Sequence, residues 1–464
     1  MAKANRVYKQ KAPVAKNDRV EADIIDLTYQ GMGVAKVAGF PLFVANALPG
    51  ERVLLTVTKV LKNYGFARIQ EIVKVSPDRV ELQDKLALTT GIAPMANLSY
   101  PAQLAWKQRQ VRELFKKAQL RVAVAPTLGM ADPTHYRNKA QVPAQMVNGR
   151  LETGFYRRGS HRLIPTDSFY IQDENVDEAI RVSRDLLQEL GVTAYDEETG
   201  KGLVRHVMTR YGKATGQLMV VIVTAKERFP EKEAFIAGLR KRLPKLVSLV
   251  QNVNAKKTNV IMGQENHLLW GQAEIEDQLL GKAYLIGPNS FYQVNPETTA
   301  KLYSLARNMA DLKPTDTVID AYCGIGTIAL TIADKVKKVL GVEVVEPAIE
   351  DARQNAKLNG IWNADFVVAD APEQMHQWAS EGKTADVVFV DPPRKGLTKD
   401  FIEAVGVMKP ERLIYVSCNP ATLARDVKDL LEEGYEVDGR VQPVDQFPQT
   451  MHVEAVVKLV RVKK

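Results

Sequence analysis

Cysteine is scarce in this sequence: Cys323 and Cys418 are the only two among 464 residues. That excludes a disulfide framework and any site built from three or four protein thiolates. Long apolar runs are missing too, and none approaches the ~18 to 20 residues that span a bilayer. The basic stretch from Met1 to Pro13 lacks the apolar segment that a secretory signal carries behind its charges. A cytoplasmic protein with no membrane partner is expected. Short repeats and low-complexity tracts are absent as well. What remains is an ordinary globular composition, 45% hydrophobic and 25% charged, with 63 Lys and Arg against 55 Asp and Glu for a net charge of +8. At about 150 residues per domain the length suggests roughly three domains. The mild positive charge suits a polyanionic partner, and it suits solubility equally well.

Residues 1–16 read as a basic flexible arm carrying Lys3, Arg6, Lys9, Lys11 and Lys16. Residues 17–76 alternate apolar and polar positions between glycines, which predicts a small OB-like β-barrel. There Lys59, Lys62, Tyr64, Phe66 and Arg68 interleave cations with rings. This is either an oligonucleotide face or a wet surface around a core Phe66. Residues 77–285 mix strands and helices as an α+β domain. Its helix over 99–120 carries Leu104, Val111, Phe115 and Ala118 on one side, a face suited to packing on the C-terminal domain. Two segments of this region gather Tyr136, Arg137, Lys139, Tyr156, Arg157, Arg158, His161 and Arg162. Rings beside cations suit unstacked bases and phosphates, and a solvated charged face is the alternative. From 286 to 464, apolar strands alternate with amphipathic helices, which predicts a Rossmann-like, doubly wound parallel sheet.

Several residues fall at strand ends in this last domain. Asp320-Ala-Tyr-Cys-Gly-Ile-Gly326 joins a strand to a helix, and Gly324 and Gly326 allow close backbone approach by a ligand. Glu343 follows Gly324 by 19 residues at the next strand's end, where a carboxylate can accept ribose hydroxyls. A nucleoside ligand follows from that spacing; a plain tight turn beside a surface glutamate is the alternative. Asp391-Pro-Pro-Arg394 follows the strand DVVFV, so Asp391 can present a fixed acceptor while Arg394 and Lys395 meet a phosphate, or the run simply ends a strand. Cys418 follows the strand LIYVS, with Asn419 as N-cap and Pro420 in the first helical turn. A thiol near a positive helix end is expected to favour thiolate, the attacking species toward carbon electrophiles. Cys323, inside the glycine turn, reads as packing. In the final strand His452 and Glu454 share a face, and either is a candidate base. The amides of Asn289, Gln293 and Asn295 either read a base edge or cap loops.

Taken in order, FYQVN, DAYCGIGT, GVEVV, DPPRKG, SCNP and FPQTMHVE closely resemble the S-adenosylmethionine-dependent RNA uracil-5-methyltransferases. The resemblance spans nearly the whole chain. It implies that the barrel is a TRAM domain, the middle an RNA-binding domain and the end the catalytic domain. It further implies Cys418 as nucleophile, Glu454 as base, and Gln293, Tyr322, Gly324, Gly326, Glu343 and Asp391 as S-adenosylmethionine contacts. Lys59, Lys62, Tyr64, Arg68, Arg137, Lys139, Arg157, Arg158 and Arg394 are the expected RNA contacts. Many relatives hold a four-iron cluster through a Cys-Gly-Gly-Cys stretch and further cysteines. Here Thr90-Gly-Ile-Ala93 and Phe169 stand at those places, so no iron-sulfur cluster and no metal is expected. The barrel resembles that of the ribosomal group, which makes 23S rRNA the expected substrate and the transfer RNA T-loop the alternative. A monomer is expected. Competing readings are an exocyclic-amine methyltransferase, whose Asp-Pro-Pro loop usually ends in an aromatic residue, a dinucleotide oxidoreductase, and a non-catalytic RNA-binding factor.

Overall fold

The structure is a computed structural model and describes residues 12–82 and 85–462. Most of the expected basic arm, with Lys3, Arg6, Lys9 and Lys11, lies outside the described residues. The chain forms two compact units, one reaching Gln103 and taking in Gln449–Met451, the other comprising Leu104–Pro448 and the chain from His452 onward.

In the first unit β1 (Arg19–Leu27), β2 (Gly33–Val37), β3 (Phe40–Val44), β4 (Arg52–Val60) and β5 (Gly65–Lys74) close a barrel in the order β1-β2-β3-β5-β4. Alternation dictates the closure: Val53, Leu55 and Val57 of β4 point inward with Ile24, Ala35, Leu42 and Val44, while Arg52 and Lys59 point out. Helix α1 (Leu86–Thr90) ends at Gly91. The Thr90 hydroxyl donates to the Leu86 carbonyl (2.7 Å), and Ala93 is buried, so small-residue packing occupies the stretch where the resemblance looks for thiolates. Helix α2 (Tyr100–Lys117) then carries the chain into the second unit.

The second unit holds two seven-stranded sheets. The first comprises β6 (Lys139–Val147), β7 (Arg150–Tyr156), β8 (Leu163–Pro165), β9 (Val204–Tyr211), β10 (Leu218–Thr224), β11 (Leu246–Val253) and β12 (Glu265–Gly271), in the order β12-β11-β10-β9-β6-β7-β8. Helices α3 (Glu174–Glu189) and α4 (Lys232–Arg242) accompany it, and Asp173 caps α3 through the Asn175 N–H. A hairpin, β13 (Ile275–Leu279) and β14 (Lys282–Ile286), follows. The expected division at 285/286 falls inside β14, because Met208, Met219 and Val221 share one core with Tyr284, Tyr292, Ile325 and Ile328.

The last sheet takes β15 (Thr317–Ala321), β16 (Lys338–Glu343), β17 (Ala364–Val368), β18 (Val387–Val390), β19 (Arg412–Ser417), β20 (Tyr435–Val444) and β21 (Glu454–Arg461), ordered β17-β16-β15-β18-β19-β21-β20. Helices α5 (Pro296–Met309), α6 (Thr327–Ile332), α7 (Glu346–Leu358), α8 (Ala371–Ser380), α9 (Lys399–Met408) and α10 (Pro420–Glu432) alternate with it. Both β18 and β19 are buried along their whole length, as strands covered on both faces must be. The sheet is not wholly parallel as expected: β21 lies antiparallel between β19 and β20, since a hairpin rather than a crossover joins the last two strands. Val111 and Phe115 of α2 belong to the core on one side of this sheet, with Ile319, Val388 and Tyr415.

Candidate active site

Parallel strands deliver their loops to one sheet edge, and here the turns after β15, β16, β18 and β19 carry Tyr322, Glu343, Asp391 and Cys418. The turn after β15 is forced into a left-handed path at Tyr322 (φ +66°), Gly324 (φ +54°) and Gly326 (φ +82°). A Cβ on Gly324 would meet nothing within 4 Å, so this glycine borders open space. Gly326 differs: a Cβ there would meet the Phe366 ring at 3.2 Å, and the residue is absent from the cavity lining. It makes the turn and packs there, between Ile325 and Thr327, which do line the cavity. The Glu343 carboxylate accepts from the N–H groups of Val344 (2.8 Å), Val345 (3.1 Å) and Gly324 (3.4 Å), tying two of the turns together.

The Asp391 and Cys418 loops are joined as well. Asn419 caps α10 by accepting from the Ala421 N–H (3.1 Å), and its amide donates to the Arg394 carbonyl (2.9 Å). Arg425 donates to the Lys395 carbonyl at 2.9 Å. These bonds fix the thiol-bearing turn against Asp391-Pro-Pro-Arg394.

Gln293, Tyr322, Gly324, Glu343, Asp391, Arg394, Cys418, His452 and Glu454 all line one cavity of about 1160 Å³. That volume is at the upper end of small-ligand sites. The second unit's other sheet supplies part of the wall through Val250, Asn266 and Leu268. Sequence reasoning missed those three, because no local pattern marks a contact made across the chain. It also missed Tyr303, within α5, and quoted Asp320 only as the start of the glycine turn, with no role of its own. Asp320 is fully buried; one carboxylate oxygen accepts from the Ala329 N–H (2.8 Å), and the other has no partner among the described residues.

Burial governs the electrostatics. It pushes Asp320 up to about 8, with Asp391 and Glu343 adding to the effect. Asp391 rises to about 7, again through burial. Glu454 is held well above the carboxylate range by burial and by Asp391, while Arg394 acts in the opposite sense. The Cys418 thiol is pushed up to about 11 by burial, Glu454 and Asp391, with Arg394 opposing. This corrects the expected thiolate: two carboxyls and desolvation outweigh the helix end, and the resting group is a thiol. His452 moves below its usual range through burial, Arg394 and Lys107, so it stays neutral.

Other expected residues lie elsewhere. Asn295 caps α5 through the Thr298 N–H and donates to the Gln446 carbonyl, so it caps and does not read a base. Tyr136 is buried with its hydroxyl donating to the Pro448 carbonyl (3.0 Å), and is unavailable for stacking. Cys323, expected to be packing, is buried against the β16 backbone, where a Cβ on Gly341 would meet its Sγ at 3.1 Å, and it also lines the cavity. Phe169 packs edge-on against Phe155, ring centroids 4.7 Å apart. In the first unit, exposed Lys59, Lys62 and Arg68 surround Tyr64, whose ring lies 5.3 Å from Phe43 and 5.7 Å from Phe66. Arg157 and Arg158 lie exposed after β7, and Arg137 and Lys139 lie at the start of β6, all outside the cavity lining.

Comparisons with known proteins add to this geometry. The profile of a tRNA (uracil-5-)-methyltransferase family matches residues 99–462, and a TRAM domain matches residues 13–70. A protein of Lactiplantibacillus plantarum described as an uncharacterized RNA methyltransferase is 51% identical over 450 residues, covering 97% of this chain and 98% of that one. One of Halalkalibacterium halodurans with the same description is 49% identical over 453 residues, covering 97% and 99%. Among solved structures, a Pyrococcus abyssi tRNA (uracil-54, C5)-methyltransferase in complex with S-adenosyl-L-homocysteine aligns with a TM-score of 0.76 at 27% identity, covering 95% of this chain and all of that one.

Proposed function

The chain belongs to the tRNA (uracil-5-)-methyltransferase family of S-adenosylmethionine-dependent RNA methyltransferases, and on that premise we propose that it methylates C5 of a uridine in 23S rRNA through a covalent adduct with Cys418. The observation that carries the reading is the single cavity shared by Cys418, Glu454 and Asp391 with Gln293, Tyr322 and Glu343. The residues fit S-adenosylmethionine: Glu343 offers acceptors for ribose hydroxyls, Gly324 borders open space, and one Asp320 oxygen is without a partner among the described residues. Bound there, that cofactor supplies a methyl group on a sulfonium, electrophilic enough for an activated C5 to attack.

The chain's own groups do the rest. C5 of uracil is a poor nucleophile, so the Cys418 sulfur adds to C6 and the electron pair of the C5–C6 bond moves into an enolate, which activates C5. The thiol proton leaves in that step to the Asp391 carboxylate, from which it returns to the expelled thiolate, so that Glu454 stays ionised for the C5 proton. Once C5 carries the methyl group, Glu454 removes the C5 proton and the thiolate is expelled, restoring the ring. A carboxylate with raised proton affinity suits that removal better than His452, whose affinity is lowered. Reaching C5 and C6 requires an unpaired or flipped base. With only two cysteines in the sequence, no iron-sulfur cluster takes part. Iron measured in anaerobically purified protein should fall far below one cluster per chain.

A second reading, the transfer RNA T-loop, is favoured by one observation. The alignment to the Pyrococcus abyssi enzyme covers 95% of this chain and so takes in most of residues 17–76, which means the barrel alone does not separate the two substrates. Tritiated-methyl transfer to 23S rRNA and transfer RNA from cells lacking the protein, followed by mapping of the nucleotide, tests both. Label as 5-methyluridine in 23S rRNA is expected, lost in Cys418→Ala. Glu454→Gln should retain a covalent RNA band on denaturing gels. Label persisting in Cys418→Ala would overturn the mechanism.

A further inference from the structure

Next to the cavity, on the sheet that supplies part of its wall, three cations face one another without an acid. Lys139 of β6 and Arg210 of β9 are direct cross-strand partners, so their side chains leave the sheet on the same face. Like charges in that relation are unfavourable unless something compensates them. Arg137 joins the pair, its Nε donating to the Lys139 carbonyl at 2.9 Å. Arg210 is 1% exposed; one terminal nitrogen donates to the Ser290 carbonyl (2.6 Å), and its Nε has no partner among the described residues. The Lys139 ammonium forms no hydrogen bond or ion pair with any described residue. Burial together with the two guanidiniums lowers it to about 7. No carboxylate among the described residues pairs with any of the three; the groups that raise Arg137 and Arg210 are the tyrosines Tyr136 and Tyr292.

The cluster is also anchored to the segment that lines the cavity. The Asn138 N–H donates to the Val294 carbonyl (2.9 Å), and Arg210 holds Ser290, while Pro288, Ser290, Phe291 and Gln293 line the cavity itself. A half-buried guanidinium and ammonium, with the charge of a fully buried guanidinium behind them, suit a phosphodiester. We propose that Arg137 and Lys139 hold a backbone phosphate of the RNA, with the charge of buried Arg210 behind them, at or next to the nucleotide whose base enters the cavity. This deepens the RNA-directed reading above and rests on it. The anion supplies the charge that the protein leaves out, and one fixed phosphate beside Ser290 sets which base reaches Cys418.

The test is binding of the full-length protein to a fluorescent 20-nucleotide oligouridine between 50 and 400 mM KCl. Loss of one phosphate contact makes the slope of log K against log salt shallower by about 0.7 for a single strand. Lys139→Gln should show that change, with affinity about tenfold weaker at a fixed salt concentration; Lys139→Arg should restore the wild-type slope. Arg210→Gln should act in the same direction, and the two Lys139 variants decide the matter if it fails to fold. S-adenosylmethionine affinity, measured by calorimetry, should be unchanged in Lys139→Gln and so reports an intact fold. A wild-type slope in Lys139→Gln, or no oligouridine binding by the wild type, overturns the proposal. Inorganic phosphate raising the melting temperature of the wild type but not of Lys139→Gln, with oligouridine slopes equal, would make this a free-anion site and also overturn it. If the slope falls as expected but no RNA accepts a methyl group, the functional reading fails while the phosphate site stands.

Discussion

Cys418, the proposed nucleophile, rests as a thiol. With its thiol pushed up to about 11, almost none of it is thiolate at neutral pH, and Asp391, one of the carboxyls that raise it, is the proposed acceptor of its proton. The sign follows from the charges. Removing the negative charge of Glu454 lowers the thiol, and removing the positive charge of Arg394 raises it. Alkylation of Cys418 by iodoacetamide, followed by mass spectrometry, should therefore accelerate as pH rises toward 11. At pH 8 it should run several-fold faster in Glu454→Gln and slower in Arg394→Gln, in the order-of-magnitude range that one pKa step represents. Buried Cys323 serves as an internal control. The positions of Cys418, Asp391 and Glu343 were legible in sequence because each ends a strand, and strand ends follow from apolar runs. The proton affinity of Cys418 was not, because it depends on burial and on carboxyls that converge from the end of β18 and from β21.

At the scale of elements, α2 is fastened to the catalytic sheet by more than Val111 and Phe115. Lys107 is fully buried, and its ammonium donates to the Asp445 carboxylate and to the Phe447 carbonyl (3.1 Å), just where the chain turns toward the cavity. Burial lowers Lys107, which means the pair holds two charges that water no longer solvates. Deleting one partner strands the other, at a typical cost of about 3 to 5 kcal/mol, whereas replacing both with apolar residues is near neutral. Denaturant unfolding should show that loss in Lys107→Met and its recovery in Lys107→Met with Asp445→Leu. The helix itself was readable from its periodicity. Its ionic fastening was not: Lys107 reads as one more charge on a basic helix, and its partner stands 338 residues later. The antiparallel β21 escaped for a similar reason, since apolar runs reveal that a strand is buried without revealing its direction.

Across the whole molecule, the two compact units make different demands on a ligand. Every residue that lines the cavity belongs to the unit beginning at Leu104. S-adenosylmethionine at 100 times its dissociation constant adds about 2.7 kcal/mol to whatever binds it. Scanning calorimetry should show that gain in the transition of this unit, with the barrel's transition unmoved. Changes in pattern at about 76 and 286 suggested three parts. The pooling of the last two parts into one body was not legible, because it rests on Met208, Met219 and Val221 meeting Tyr284 and Tyr292, and single-sequence periodicity records burial without naming the partner. A cavity that runs uninterrupted from Glu343 to Glu454 has a pharmacological corollary. An adenosine moiety tethered to a pyrimidine could occupy both halves in one binding event. Such a bisubstrate compound would compete with each natural occupant separately, and its tether length would report the distance across which the methyl group travels.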